Sequence, residues 1–271
     1  MIEKLVETVN GWLWSPFLIA FIVCCGLYFS IRTRFLQIRH VKEMIRLVTM
    51  GKSSEAGVSS FQALTMSLSG RIGVGNVAGT ATGIAYGGPG AVFWMWVITF
   101  IGAATAYVES TLAQIYKEEQ DGQYRGGPAF YIEKGLGWKW FAVVIAAAII
   151  LSMAVLMPGI QANSIADSFS NAFGIPKLVT GIFVIAVLGF TIFGGVKRIA
   201  KTAEIVVPFM AVVYLLVAIA IIAANIEKVP DVFGLIFKSA FGADQVFGGI
   251  LGSAVMWGVK RGLYANEAGQ G

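Results

Sequence analysis

The residues best suited to binding chemistry lie between Ser60 and Pro89, where Gly70, Arg71, Gly73, Gly75 and Asn76 fall within a run long enough to cross a bilayer. Glycine costs a helix about 1 kcal/mol per residue relative to alanine, so this cluster predicts a break at mid-membrane. Unpaired backbone is expensive in hydrocarbon, and such a break persists only where it lines an enclosed cavity or meets a polar ligand. In the tetrad Gly73, Val74, Gly75, Asn76, the N–H groups of Val74, Gly75 and Asn76 would open an outer half-helix whose positive dipole end favours a carboxylate. The carbonyls of Ser69, Arg71 and Ile72 would end the inner half and suit a hard cation such as sodium, with Asn76 adding its side-chain oxygen. The plainer alternative is a packing cluster of glycines with a satisfied asparagine. Further on, Gly75, Gly79, Gly83 and Gly87 recur every four residues, a flat face for close approach of another helix backbone.

A second set of polar and aromatic residues lies far along the chain. Gln161 and Asn163 follow Pro158 and Gly159 in an apolar segment, and an amide there commonly bonds a neighbouring helix. Asn163 is read as structural. In the segment from Val246, Gly258, Lys260, Arg261 and Gly262 predict a second break. Met256, Trp257 and Gly258 would occupy it, with Trp257 either capping a ligand side chain or serving as a core aromatic, and Gly258 freeing backbone for a ligand's amino or carboxyl group. Charges at membrane depth are costly unless paired or wet. Arg71 with Glu109 or Glu267 would form a gating network on the inner side, while Lys260 and Arg261 either join it or snorkel to the interface.

The elements that must position these residues are membrane helices. Of 271 residues, 57% are hydrophobic and 13% charged, and the mean hydropathy is +0.76. Spans are predicted near Trp12–Ile31, Ser60–Gly83, Ala91–Tyr116, Trp140–Phe169, Leu178–Gly194, Glu204–Asn225 and from Val246 onward. Lysine and arginine crowd the loops after the first, third and fifth of these. By the positive-inside rule those loops are cytoplasmic and the N-terminus is outside. The net charge of +5 is then a topology signal, not a nucleic-acid surface. The stretch Arg32 to Met50 reads as one amphipathic helix along the inner surface, Pro128 as the start of a short helix to Lys134, and Pro230 to Ala240 as a lid or interfacial helix. Kinks are expected at Pro158 and Pro208. Cys24, Cys25 and His40 are the only residues of their kinds and build neither a transition-metal site nor a nucleophile–base pair, so no enzyme, no cofactor and no metal beyond sodium is expected. An ion channel is disfavoured, because filter loops come in rings of equivalents.

Two glycine-broken helices with four helices between them form the pattern of inverted-repeat transporters. The motifs GTATGIAYGGPGAVFWMWVITFIGAATAYVESTLAQIYK, YRGGPAFYIEKGLG and MWGVKRGLYANEAGQG resemble the sodium:alanine (amino-acid:cation) symporter family from about Trp12 to Gly271. The resemblance implies an all-α membrane protein with the LeuT-type five-plus-five inverted-repeat fold of the neurotransmitter:sodium symporters, in one transporter domain over residues 1–271. Residues 60–225 would be the first five-helix repeat and residues 246–271 the start of the second, after which the chain stops while family members continue. It further implies sodium-coupled symport of small neutral amino acids, alanine or glycine, across the cytoplasmic membrane by alternating access. The competing expectation is an inactive truncated fragment of such a transporter. The same G-x-G-N pattern in neurotransmitter:sodium symporters assigns Asn76 to sodium and the flanking backbone to substrate, and the family moves Gln161 to the amino-acid pocket.

Overall fold

The computed structural model describes residues 2–50, 57–242 and 250–267. The start of the seventh segment at Val246, the closing residues Ala268–Gly271 and the loop residue Lys52 lie outside them. Helix α1 (Ile2–Leu13) gives way to α2 (Pro16–Arg32), where the Ser15 hydroxyl accepts the Leu18 N–H at 3.4 Å and Pro16 presets the first helical turn. The span expected at Trp12–Ile31 is mostly α2, which meets the end of α1 at a bend of 42°. Arg34 and Phe35, left-handed at φ 55° and 50°, separate α2 from the expected surface helix, which a break at His40 then divides into α3 (Leu36–Arg39) and α4 (Val41–Met50). The predicted second segment is α5 (Ser60–Arg71) and α6 (Val74–Gly87), followed by α7 (Gly90–Ile115).

A hairpin not anticipated above follows α7: β1 (Glu118–Gln120) pairs antiparallel with β2 (Gln123–Arg125). Asp121 and Gly122 make its turn at φ 54° and 68°, the two-residue Asp-Gly loop whose left-handed residues match strand twist. That dipeptide was the available sequence signal. Lys134 reaches the hairpin, its ammonium 2.6 Å from Glu118. This bond first, then one from Gln120, holds the Glu118 carboxyl below the usual glutamate range. A carboxylate pKa depressed in the folded state adds stability above its unfolded value of about 4.3 and loses it as pH falls through the folded value. Protection of the Glu118–Arg125 amides, measured as exchange relative to the intrinsic rate at each pH, should therefore fall as pH drops below about 4, and Lys134→Met should remove that pH step while leaving the helices protected. An identical pH profile in the variant would refute the assignment.

Helix α8 (Pro128–Tyr131) begins on Pro128 as expected, but passes into a π-helical turn at Ile132–Leu136 instead of running to Lys134. Helices α9 (Lys139–Ile150) and α10 (Met157–Phe173) are joined by another π turn, Leu151–Leu156. Pro158 lacks the N–H that a regular helix would return to the preceding turn, and the wider turn accommodates the lost bond. Next come α11 (Lys177–Ile192) and α12 (Gly195–Ala224), which continues through Pro208. Lys197, Arg198 and Lys201, the basic residues that follow the expected fifth segment, ride on the first turns of α12 instead of in a loop. The chain closes with α13 (Val229–Ala240) and α14 (Ile250–Asn266).

Among the described residues, three helices are long and apolar enough to span a membrane: α7, the continuous Lys139–Phe173 and α12. The bent α1–α2 pair makes a fourth if counted as one span, and α11 is a shorter apolar helix. The expected second and seventh spans are shorter, α5 and α6 having 12 and 14 residues and α14 17. The protein is an all-α membrane protein bearing one small hairpin. Its chain divides into two compact units, one of Met1–Val41, Ala78–Glu109 and Asn225–Gly269, the other of Lys42–Val77 and Ser110–Ala224.

Candidate functional site

In the second unit, α5 is fixed at its start by a capping box. Ser59 Oγ accepts the Gln62 N–H at 3.1 Å and Gln62 Oε1 accepts the Ser59 N–H at 3.1 Å. Gln62 Nε2 also donates to Glu204 of α12 at 2.9 Å, tying α5 to that helix. The S-x-x-Q spacing signals the cap, yet nothing local signals the tie to Glu204. At its other end α5 stops at Arg71, Ile72 caps it, and α6 begins at Val74.

The break has a definite hydrogen-bond pattern. Gly73 N–H turns back to Gly70 O at 3.3 Å, while Gly73 O accepts from Asn76 N–H at 3.0 Å and Val77 N–H at 3.3 Å. Asn76 N–H, one of three donors expected to be open, is thus engaged. Among the described residues, the N–H groups of Val74 and Gly75 meet no acceptor, and the carbonyls of Ser69 and Ile72 receive no main-chain donor. Asn76 Nδ2 donates to Arg71 O, so this side chain stitches the inner half to the outer. The Ser69 hydroxyl donates to Met66 O at 2.6 Å, and Arg71 Nη1 donates to Ser67 Oγ at 2.9 Å.

Gln161 of α10 lies directly against this break. A Cβ placed on Gly73 would come 3.3 Å from Gln161 Nε2 and 3.7 Å from its Oε1, so the missing side chain is what admits the amide. Gln161 is half-buried and, among the described residues, hydrogen-bonds nothing in the chain. An amide in that setting is open to a polar ligand. Asn163, by contrast, donates to Asp167 Oδ2 at 3.0 Å on its own helix, and Asp167 pairs with Lys177, which is the structural role expected.

In the first unit, α14 runs without interruption through Met256, Trp257 and Gly258, contrary to the predicted second break. Its glycines serve close packing. A Cβ on Gly258 would collide with Trp94 Cβ and lie 2.9 Å from Ala91 O, and one on Gly262 would lie 3.0 Å from Ile98 Cβ. Close packing on α7 offsets the propensity cost of these glycines, and the Gly258 main chain stays in the helical ladder rather than being freed for a ligand. Asn266, buried one turn on from Gly262, donates to Thr99 O at 3.1 Å and Ile98 O at 3.3 Å.

Trp257 stacks on Tyr86 with ring centroids 5.1 Å apart and planes 17° off parallel. The Lys260 ammonium lies 5.3 Å from the centroids of both Trp14 and Trp257, and the Arg261 guanidinium 5.4 Å from that of Trp257. Arg261 also fills the groove at Gly79 and Gly83, its Nη1 3.2 Å from where a Gly79 Cβ would stand. The glycine face of α6 is thus covered there by an arginine stem and by Met95, not by the helix backbone expected. Tyr86 was missed because no local pattern links it to a tryptophan across so long a separation. Of the predicted gating residues, Arg71 belongs to the second unit, and Glu109 and Glu267 to the first.

A family model described as the sodium:alanine symporter family matches residues 1–271. The chain belongs to the sodium:alanine symporter family. This member is 85% identical over 228 residues to a sodium/proton-dependent alanine carrier protein of Bacillus sp. (strain PS3), covering 84% of this chain and 51% of the relative. It is 64% identical to a putative sodium/proton-dependent alanine carrier protein, YrbD, of Bacillus subtilis, with 98% and 55% covered. It is 41% identical to the sodium/alanine symporter AgcS of Methanococcus maripaludis, with 99% and 61% covered. The chain spans about half the length of the first two and somewhat more of the third. The family is one of transporters, not enzymes, which agrees with the absence of a nucleophile–base pair in the sequence.

Proposed function

We propose that this chain takes part in sodium-coupled symport of small neutral amino acids, alanine or glycine, by alternating access across the cytoplasmic membrane, with its N-terminus outside. The observation that carries the reading is the juxtaposition of the unpaired Val74 and Gly75 amides with the unpaired Gln161 side chain at a helix break. The two amides would take the substrate carboxylate at the positive end of α6. Gln161 Oε1 would accept from the substrate ammonium or Nε2 would donate to its carboxylate. The open carbonyls of Ser69 and Ile72, with Arg71 O and Asn76, would hold sodium, whose charge would favour bringing the two halves of the break together. The fold proposed is the LeuT-type inverted repeat, residues 60–225 forming the first repeat and residues 246–271 opening the second.

The test is sodium-dependent alanine uptake into proteoliposomes, paired with equilibrium binding of alanine to the purified chain. Asn76→Ala removes both the side-chain oxygen and the bond to Arg71 O. It should weaken sodium activation about tenfold or more, taking 1.5–3 kcal/mol for a hydrogen bond to a charged group as the scale for the cation contact. Unchanged sodium activation would exclude the site. Alanine binding without uptake would show a chain that recognises substrate and does not carry it by itself.

A further inference from the structure

The second unit contains a cavity of about 450 Å³ that the transport reading leaves without a role. Its walls are unlike. One side presents Ala146, Ile149 and Ile150 of α9, all apolar; the other presents Lys117, between α7 and β1, and Arg125 of β2. The hairpin meets α7 closely because Gly126 has no side chain: a Cβ there would stand 2.8 Å from Ala113 O. Lys117 is half-buried, donates to Gln114 Oε1 at 2.9 Å and lies 4.0 Å from the centre of the Tyr124 ring. Among the described residues no carboxylate pairs with it. Of the acids beside it, Glu118 is engaged by Lys134 at 2.6 Å and Asp121 by Arg125 at 3.2 Å, while Glu119 is exposed. Lys117 also lines a second cavity of about 240 Å³, together with Lys197.

An uncompensated cation beside an apolar helix wall selects an amphiphile with an anionic head. Ile150 is 64% exposed on a membrane-spanning helix, so the apolar side opens toward hydrocarbon. A free phosphate would leave that wall unused, and a choline headgroup would set a cation against Lys117 and Arg125. We infer that this cavity seats an anionic phospholipid, its phosphate on Lys117 with support from Arg125 and an acyl chain along Ala146, Ile149 and Ile150. Basic clusters at the membrane surface attract anionic lipid by a factor of about five per cation.

The experiment is native mass spectrometry of the purified chain in neutral detergent, titrated with phosphatidylglycerol or phosphatidylcholine of matched acyl chains. Wild type should retain phosphatidylglycerol at least about fivefold better than phosphatidylcholine. Lys117→Gln should remove most of that preference, Lys117→Arg should keep it, and Arg46→Gln, which alters an exposed cation paired with Glu43, should leave it intact. Equal retention of the two lipids, or a preference that survives Lys117→Gln and Arg125→Gln combined, would overturn the inference. So would full displacement of phosphatidylglycerol by millimolar inorganic phosphate, the mark of a site for the free anion. None of these readouts involves alanine or sodium, so the result is independent of the transport proposal.

Discussion

Replacing Gln161 with alanine is expected to lower sodium-dependent alanine affinity by roughly 10- to 100-fold, the equivalent of about 1.5–3 kcal/mol for a hydrogen bond to a charged group. The expectation rests on where this amide sits. It is half-buried, hydrogen-bonds nothing in the chain among the described residues, and its Nε2 stands 3.3 Å from where a Cβ on Gly73 would be. Removing a side chain that already bonds the protein would cost folding stability. Removing this one should cost binding and leave thermal unfolding nearly unchanged. Gly73→Ala reaches the same contact from the other side, since its Cβ would press on both Gly70 O at 3.1 Å and the Gln161 amide. Radioligand binding to the purified protein, with and without sodium, reads both variants. Wild-type affinity in Gln161→Ala would remove the amide from the site.

Gly258→Val is expected to destabilise the protein by about 3 kcal/mol or somewhat more, the upper part of the range for overpacking a close-fitted core. A Cβ at that position collides with Trp94 Cβ and lies 2.9 Å from Ala91 O, so the obstacle includes main chain that cannot rotate aside. The built-in comparison is Gly252 on the same helix, which faces open space. Gly252→Ala should stabilise α14 by up to about 1 kcal/mol through helix propensity alone. Thermal unfolding in detergent, followed by size-exclusion chromatography, separates the two. Equal behaviour of both variants would show that α14 does not pack on α7 through Gly258.

The membrane class, most helix positions and the broken second segment were legible in the sequence because each follows from composition read over one contiguous stretch. Apolar runs give α7, α9 with α10, and α12, and the spacing of Gly70, Gly73 and Gly75 places the end of one helix and the start of the next. Local signals also existed for features left unread: Asp121-Gly122 for the hairpin and Ser59 with Gln62 for the cap of α5. The same glycine rule failed at Gly258 and Gly262, because a glycine lowers helix propensity whether the helix breaks there or packs tightly, and only the facing residues of α7 distinguish the two outcomes.

What the sequence determined by itself was therefore the solvent of this protein and the places where its backbone is weak, since both depend on residue type and neighbours a few positions away. Tertiary structure alone decided what each weak place is for. It set Gln161 against Gly73, filled the groove at Gly79 and Gly83 with the Arg261 stem, and stacked Trp257 on Tyr86, because contacts between residues distant in the chain are fixed by shape and unmet hydrogen bonds rather than by local pattern.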